Sequence, residues 1–203
     1  MTTRLEFFFD FLSPYSYLAT TQLGGLGVEA ELRPVTIVEV MARVNNQPSP
    51  RCPPKSRYAA LDAGRWAKLY GVPLAINTPL WAALRAGEFI PGTLVRGALA
   101  AQALGVLPAY TTAMLDAVWA APTDVSTAAG RSTFAQAHGL PAELWERAAA
   151  PEIDARLEAD VVEAVERGVF GVPTFFVDGE MFFGNDRLDF VRRRLAAPEG
   201  EAA

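Results

Sequence analysis

An α/β fold whose sheet-forming parts lie near the two ends of the chain, with helices between them, is predicted by three observations. A Phe-rich apolar run, Leu5 to Phe9, leads through Asp10 and the pair Ser13-Pro14 into a segment of helical pattern. A second sheet-forming run, residues 169–183, is folded back on itself by Asp178-Gly179, a strong two-residue hairpin signal. Between the two lie Ala-rich segments of helical period, three of which end at Gly71, Gly105 and Gly139, as left-handed helix ends prefer. With 203 residues the chain can bury a sizeable core.

Each element has a local reason. Residues 4–9 are apolar apart from Arg4 and Glu6 and rich in Phe, which suits a central strand covered on both faces. Ser13 reads as a helix N-cap and Pro14 as the first helical residue, where a missing N–H is harmless; the helix is expected to end near Gly24-Gly25. Glu31 to Val35 alternates polar and apolar residues and closes a parallel β-α-β unit. Asn45 to Pro54 holds four prolines and reads as a proline-stiffened loop. Helices are expected over 57–70, 93–104, 109–119 and 126–138, without a fixed repeat, so they form an insertion and not a solenoid. Ile153, Leu157, Val161, Ala164 and Val165 share one helical face that ends at Gly168. A short β run to Val177 and a return strand from Glu180 to Phe183 follow. Asn185 or Asp186 is expected to cap a last helix reaching Ala196, beyond which the tail frays.

Composition excludes several classes. A net charge of -5 and a pI near 5.0 argue against a nucleic-acid surface, which needs clustered Lys and Arg. The one basic run, Arg192-Arg193-Arg194, fits the solvated last turns of a helix. No apolar stretch approaches the roughly 20 residues that span a bilayer, and no segment has the order of a signal peptide, so a cytoplasmic protein with no membrane partner is expected. Cys52 is the only cysteine, which excludes an internal disulfide; its bland reading is an inert loop thiol. His138 is the only histidine and sits at an expected helix end, so no metal site is expected.

The order β-α-β, helices, α-β-β-α is that of a thioredoxin-like fold with a large all-helical insertion. The expected division is 1–37 and 151–197 for the two thioredoxin-like halves, 38–150 for the insertion and 198–203 for a tail. Redox proteins of this fold carry Cys-x-x-Cys at the first helix, where the N-terminus activates the first thiol. Here that place holds Ser13-Pro14-Tyr15-Ser16. Val172-Pro173-Thr174 occupies the position of the fold's cis-proline, which leaves the Val172 backbone free to pair with an extended ligand. Serine cannot perform thiol exchange, so redox chemistry is excluded. A Ser13 hydroxyl beside helix-terminal N–H groups can stabilise the thiolate of a bound thiol, for which glutathione is the obvious candidate.

Three motifs carry a family resemblance: Asp10 to Ala19, Gly171-Val172-Pro173-Thr174-Phe175, and Phe183-Gly184-Asn185-Asp186-Arg187-Leu188. With Asn46-Gln47-Pro48 and Lys55, they resemble the 2-hydroxychromene-2-carboxylate isomerases and the related kappa-class glutathione transferases, of DsbA-like architecture. The resemblance implies that glutathione is the cofactor, with its sulfur at Ser13. It further implies that the cysteinyl backbone lies on Val172 beside Pro173, and the γ-glutamyl end against Phe183, Gly184, Asn185 and Asp186. Asn46 and Lys55 join the site by family spacing; Lys55 or Arg51 is expected to hold a carboxylate of glutathione or substrate. Tyr15, Tyr17, Trp66 and Trp81 either line an aromatic pocket or belong to the core. Asp10 has two readings, a helix-entry cap and a buried acid tuning the site. The chemistry implied is reversible thiolate addition to a small aromatic carboxylate in ring degradation, with rotation and loss of the thiol. The alternatives are a transferase or peroxidase using the same thiolate and a non-catalytic thioredoxin-like binding protein. Relatives are commonly homodimers.

Overall fold

β1 (Leu5–Phe9) lies between two partner strands and buries all five of its residues in the computed structural model, which describes residues 3–197. β2 (Ala30–Pro34) runs parallel to it, with Phe7 opposite Leu32, and β3 (Thr174–Val177) runs antiparallel, with Phe7 opposite Phe175. β4 (Glu180–Phe183) completes the order β2-β1-β3-β4 through the predicted hairpin. Its turn residues Asp178 and Gly179 take φ 50° and 89°, the positive angles such a turn requires.

Ten helices surround this sheet among the described residues: α1 (Pro14–Thr20), α2 (Ile37–Arg43), α3 (Pro53–Tyr70), α4 (Thr78–Ala86), α5 (Thr93–Ala103), α6 (Leu107–Trp119), α7 (Ala128–Ala137), α8 (Leu144–Ala148), α9 (Pro151–Glu166) and α10 (Leu188–Ala196). The period of two along β1 divides the core. Leu5, Phe7 and Phe9 join Phe175 and Val177 in a large cluster with α1, α5, α6 and α10. Phe8 and Phe176 turn the other way and pack with Val35, Val40, Val161 and Ala164 of the α2 and α9 layer. α9 belongs to both clusters, through Ile153 and Leu157 in the first and Val161 and Ala164 in the second. Phe7 stacks on Phe9 and on Phe175 at 5.1 Å; burying each such ring stabilises the fold by about 1.5–3 kcal/mol.

The thioredoxin-like arrangement with its helical insertion is what the structure shows, with local corrections. α1 stops at Thr20, and Gly24-Gly25 lies inside a separate 3-10 turn, Leu23–Leu26. α2, α4 and α8 were not expected. The proline-rich loop is shorter than read: Ser49–Arg51 forms a 3-10 turn, and Pro53 already opens α3, because proline is tolerated in a first helical turn. α6 begins at Leu107, α7 begins after its N-cap Thr127, and the run from Val169 becomes a strand only at Thr174. Neither Asn185 nor Asp186 caps α10; both lie in a 3-10 turn, Asn185–Arg187, and Arg187 stands at the cap position without a side-chain bond. Arg192 and Arg194 pair with Asp189 and Glu180 at 2.7 and 2.9 Å. The tail from Pro198 lies outside the described residues. No helix among the described residues is long and apolar enough to cross a membrane, and no group of three or more His, Cys, Asp or Glu among them could hold a metal ion.

Candidate active site

Ser13 stands where β1 hands over to α1. Its backbone is extended (φ -99°, ψ 117°) and its Oγ accepts the Ser16 N–H at 3.2 Å, so it is the N-cap of α1. This leaves its hydroxyl proton, and the Tyr15 N–H, without a partner among the described residues: two donors at a half-buried helix terminus, where negative charge is favoured. Asp10 is the buried acid behind this turn. Its carboxylate accepts the Leu12 N–H at 2.8 Å with one oxygen and the Ile37 N–H at 2.9 Å with the other. Burial pushes its pKa up to about 6, against the opposing effect of those two hydrogen bonds. Asp10 therefore caps α2 and not α1, while also holding the loop that presents Ser13.

The second wall is the segment before β3. The Val172–Pro173 bond is cis, as expected from the sequence. Among the described residues neither the N–H nor the C=O of Val172 has a hydrogen-bond partner. Pro173 O accepts the Gly184 N–H at 2.9 Å, which seats the Asn185–Arg187 turn beside the proline. Gly184 has φ 104°, which favours glycine, and a Cβ there would push the exposed Asp186 carboxylate aside. Phe183, 40% exposed, packs on Phe170 at 4.5 Å and covers Gly171. Asn185 is buried, whereas Asp186 is exposed and bonded to Arg187 at 2.6 Å. α1 packs against this same turn, which brings the helix that Ser13 caps to the Asn185–Arg187 turn seated beside Pro173.

α3 forms the roof. The Tyr15 hydroxyl donates to Asp62 at 3.1 Å, and the Tyr70 hydroxyl donates to Asn185 O at 3.3 Å. Burial, followed by the Asp62 carboxylate, holds the Tyr15 phenol well above its ordinary pKa, so it stays protonated. Asp62 and Tyr70 escaped the sequence reading. The available signal was a stripe at every fourth residue, Tyr58, Asp62, Trp66 and Tyr70, which lies along one helical face. Tyr17 is 2% exposed and donates to Pro73 O at 2.7 Å, so it is a core residue. Trp81, half-buried, packs at a tilt on Trp119 at 5.7 Å, and Trp119 donates to Phe11 O at 2.8 Å; Trp81 thus lies against the large core cluster that contains Phe11.

The Asn46 side chain reaches across to the cis-proline segment, donating to Phe170 O at 2.9 Å. Arg51 ends the 3-10 turn that follows and Lys55 lies in the first turn of α3, both exposed and without an ion-pair partner among the described residues. Cys52, half-buried, stands at the α3 cap position without a side-chain bond, and His138 is an exposed helix end tilted against the Phe134 ring.

A thioredoxin-like scaffold with serine in place of the redox cysteines is the class that this fold and site define. The family model described as DSBA-like thioredoxin domain matches residues 4–196. A 2-hydroxychromene-2-carboxylate isomerase of Sphingobium xenophagum is 35% identical over 96% of this chain and 99% of its own length. A solved structure of a 2-hydroxychromene-2-carboxylate isomerase superposes with a TM-score of 0.78 at 29% identity, over 93% of this chain and 92% of that one. The human glutathione S-transferase kappa 1 is 27% identical over 94% of this chain and 90% of its own length. The chain belongs to the DSBA-like thioredoxin family and, within it, with the 2-hydroxychromene-2-carboxylate isomerases; it is an isomerase.

Proposed function

We propose that the protein is a glutathione-dependent isomerase of an aromatic or chromene-type carboxylate, of the kind that converts 2-hydroxychromene-2-carboxylate to trans-o-hydroxybenzylidenepyruvate. The observation that carries this reading is a half-buried serine N-cap beside a cis-proline segment whose Val172 backbone is unpaired. The name of the isomerase relatives supports the substrate class, and the kappa-class relative supports the thiol.

The residues fit glutathione. Val172 offers a backbone donor and acceptor for its peptide, Phe183 an apolar side, Asp186 a carboxylate for its ammonium, and the Asn185–Arg187 turn backbone N–H groups for its carboxylate. When bound, glutathione supplies a thiolate for reversible addition to the substrate. Ser13 O–H and Tyr15 N–H hold the negative charge on that sulfur and keep its pKa low. Asn46 orders the loop that leads to Arg51 and to Lys55 in the first turn of α3, whose cations suit the carboxylates of glutathione and substrate. The roof of α3, fastened through Asp62 and Tyr70, excludes water from the addition step. On this reading residues 38–150 act as the substrate-binding insertion on a scaffold made by 1–37 and 151–197, in a cytoplasmic homodimer.

The test is a spectrophotometric assay with 2-hydroxychromene-2-carboxylate, with and without glutathione. Turnover that requires glutathione and regenerates it is expected, and loss of one sulfur-stabilising donor in Ser13→Ala should lower kcat roughly a hundredfold. A stable glutathione conjugate as product would replace the isomerase by the second reading, a kappa-like transferase or peroxidase. Failure of glutathione to bind in calorimetry would leave a non-catalytic binding protein.

A further inference from the structure

We propose that Asp10 is a positioning residue for the site, a buried carboxylate that locks the Ser13 loop to the first turn of α2. The proposal deepens the reading of Ser13 given above. Every polar group of Asp10 is engaged there. Its two carboxylate oxygens take the N–H groups of Leu12 and Ile37, its carbonyl takes the Ser13 N–H at 3.1 Å, and its own N–H points to Ser16 Oγ at 3.4 Å.

The two segments it joins lead to opposite sides of the site. One is the turn that places the Ser13 hydroxyl. The other is α2, which leads through Val44 and Asn45 to Asn46 and so to Phe170, just ahead of the cis-proline. A single 2%-exposed side chain thus sets Ser13 relative to the helix that carries the Asn46 loop. A carboxylate is suited to this task because it accepts from two N–H donors at once, whereas an amide accepts with one oxygen and turns an NH2 group against the second N–H. Among the described residues no arginine, lysine or histidine compensates it; the charged group acting on it is Glu39 of α2, while α1 turns only the neutral Ser16 hydroxyl toward its backbone. An acid kept in such a place, held by hydrogen bonds alone, titrates close to neutrality and transmits its protonation to the turn it holds.

The test needs no glutathione. Ser13→Cys places a thiol at the site, and its alkylation rate by iodoacetamide across pH 4.5 to 9 follows the thiolate fraction. With Asp10 present, the profile is expected to show a second inflection near pH 6, because the two groups titrate as a coupled pair. In Ser13→Cys with Asp10→Asn that inflection should vanish and the rate at fixed pH should change at least about threefold. Identical profiles in the two backgrounds would overturn the proposal. Where Asp10→Asn does not fold by circular dichroism, Ile37→Pro decides: proline fits a first helical position but lacks the N–H. Loss of that donor should move the lower inflection to higher pH, and an unmoved inflection would overturn the proposal. Calorimetry of glutathione on the unmodified protein separately judges the thiol-binding reading.

Discussion

Glu6 and Asp10 are two buried carboxylates four residues apart, at opposite ends of the same strand, and their environments push them in opposite directions. Glu6, 3% exposed, receives both terminal nitrogens of Arg167 at 2.7 Å and further contacts from Arg33 and Arg4 at 3.2 Å. The Arg167 guanidinium holds its pKa below the ordinary value despite burial. Asp10, 2% exposed, has two backbone N–H donors and no cation, and its pKa rises to about 6. The cations around Glu6 serve the core itself: Arg33 also pairs with Glu163, and Arg167 lies over the Phe176 ring at 4.1 Å. A buried charge supplied with counter-charges is part of the scaffold; one left to backbone donors beside a helix N-cap marks the working end of the sheet.

The largest loss of stability is expected at Glu6. Glu6→Ala removes the buried anion between Arg33 and Arg167 and leaves the more exposed Glu163 as the one carboxylate among the described residues that both still reach, and should lower unfolding free energy by about 3–5 kcal/mol in urea denaturation.

The next largest effect is a difference in sign with pH. The unfolded value for Asp10 lies near 3.8 and the folded value near 6, so its favourable contribution is complete below about pH 4 and is lost as pH rises to 6. That swing amounts to about 3 kcal/mol. Glu6 behaves oppositely, since its lowered pKa contributes stability above pH 4.5 that is lost as pH falls. Asp10→Asn should therefore gain stability relative to the parent between pH 4 and 6, and denaturation curves at several pH values would sharpen the contrast. The smallest effect concerns the cap itself: Ser13→Ala removes one N-cap bond and should lower stability by only about 1 kcal/mol in the same assay, well below its expected effect on turnover.

The parts of the fold legible in sequence were those whose causes are local. β1, the Asp178-Gly179 hairpin, the Gly168 stop of α9 and the Ser13-Pro14 entry to α1 each carry their own signal. α2 was illegible for a physical reason: its residues Ile37-Val38-Glu39-Val40 favour strand, and the side chain bonded to its first N–H comes from Asp10, 27 residues earlier. α4 was legible and overlooked, since Asn77 caps it, Pro79 lies in its first turn and Gly87 ends it. The proline-rich stretch misled because Pro53-Pro54 begins a helix there. For the site, motif spacing pointed to the Ser13, Val172 and Gly184 segments. The partners of α3 were hidden because Tyr15–Asp62 and Tyr70–Asn185 join residues 47 and 115 apart.

The central position of β1 also has a consequence for synthesis. One edge of this strand pairs with β2 soon after it is made, but the other has no partner until Thr174–Val177 emerges from the ribosome. Until then the nascent chain carries an open, Phe-rich strand edge, the kind of surface that seeds association between unfinished chains. Closing that edge requires β3, so the serine turn and the cis-proline segment can meet only after the helical segments between them have been made.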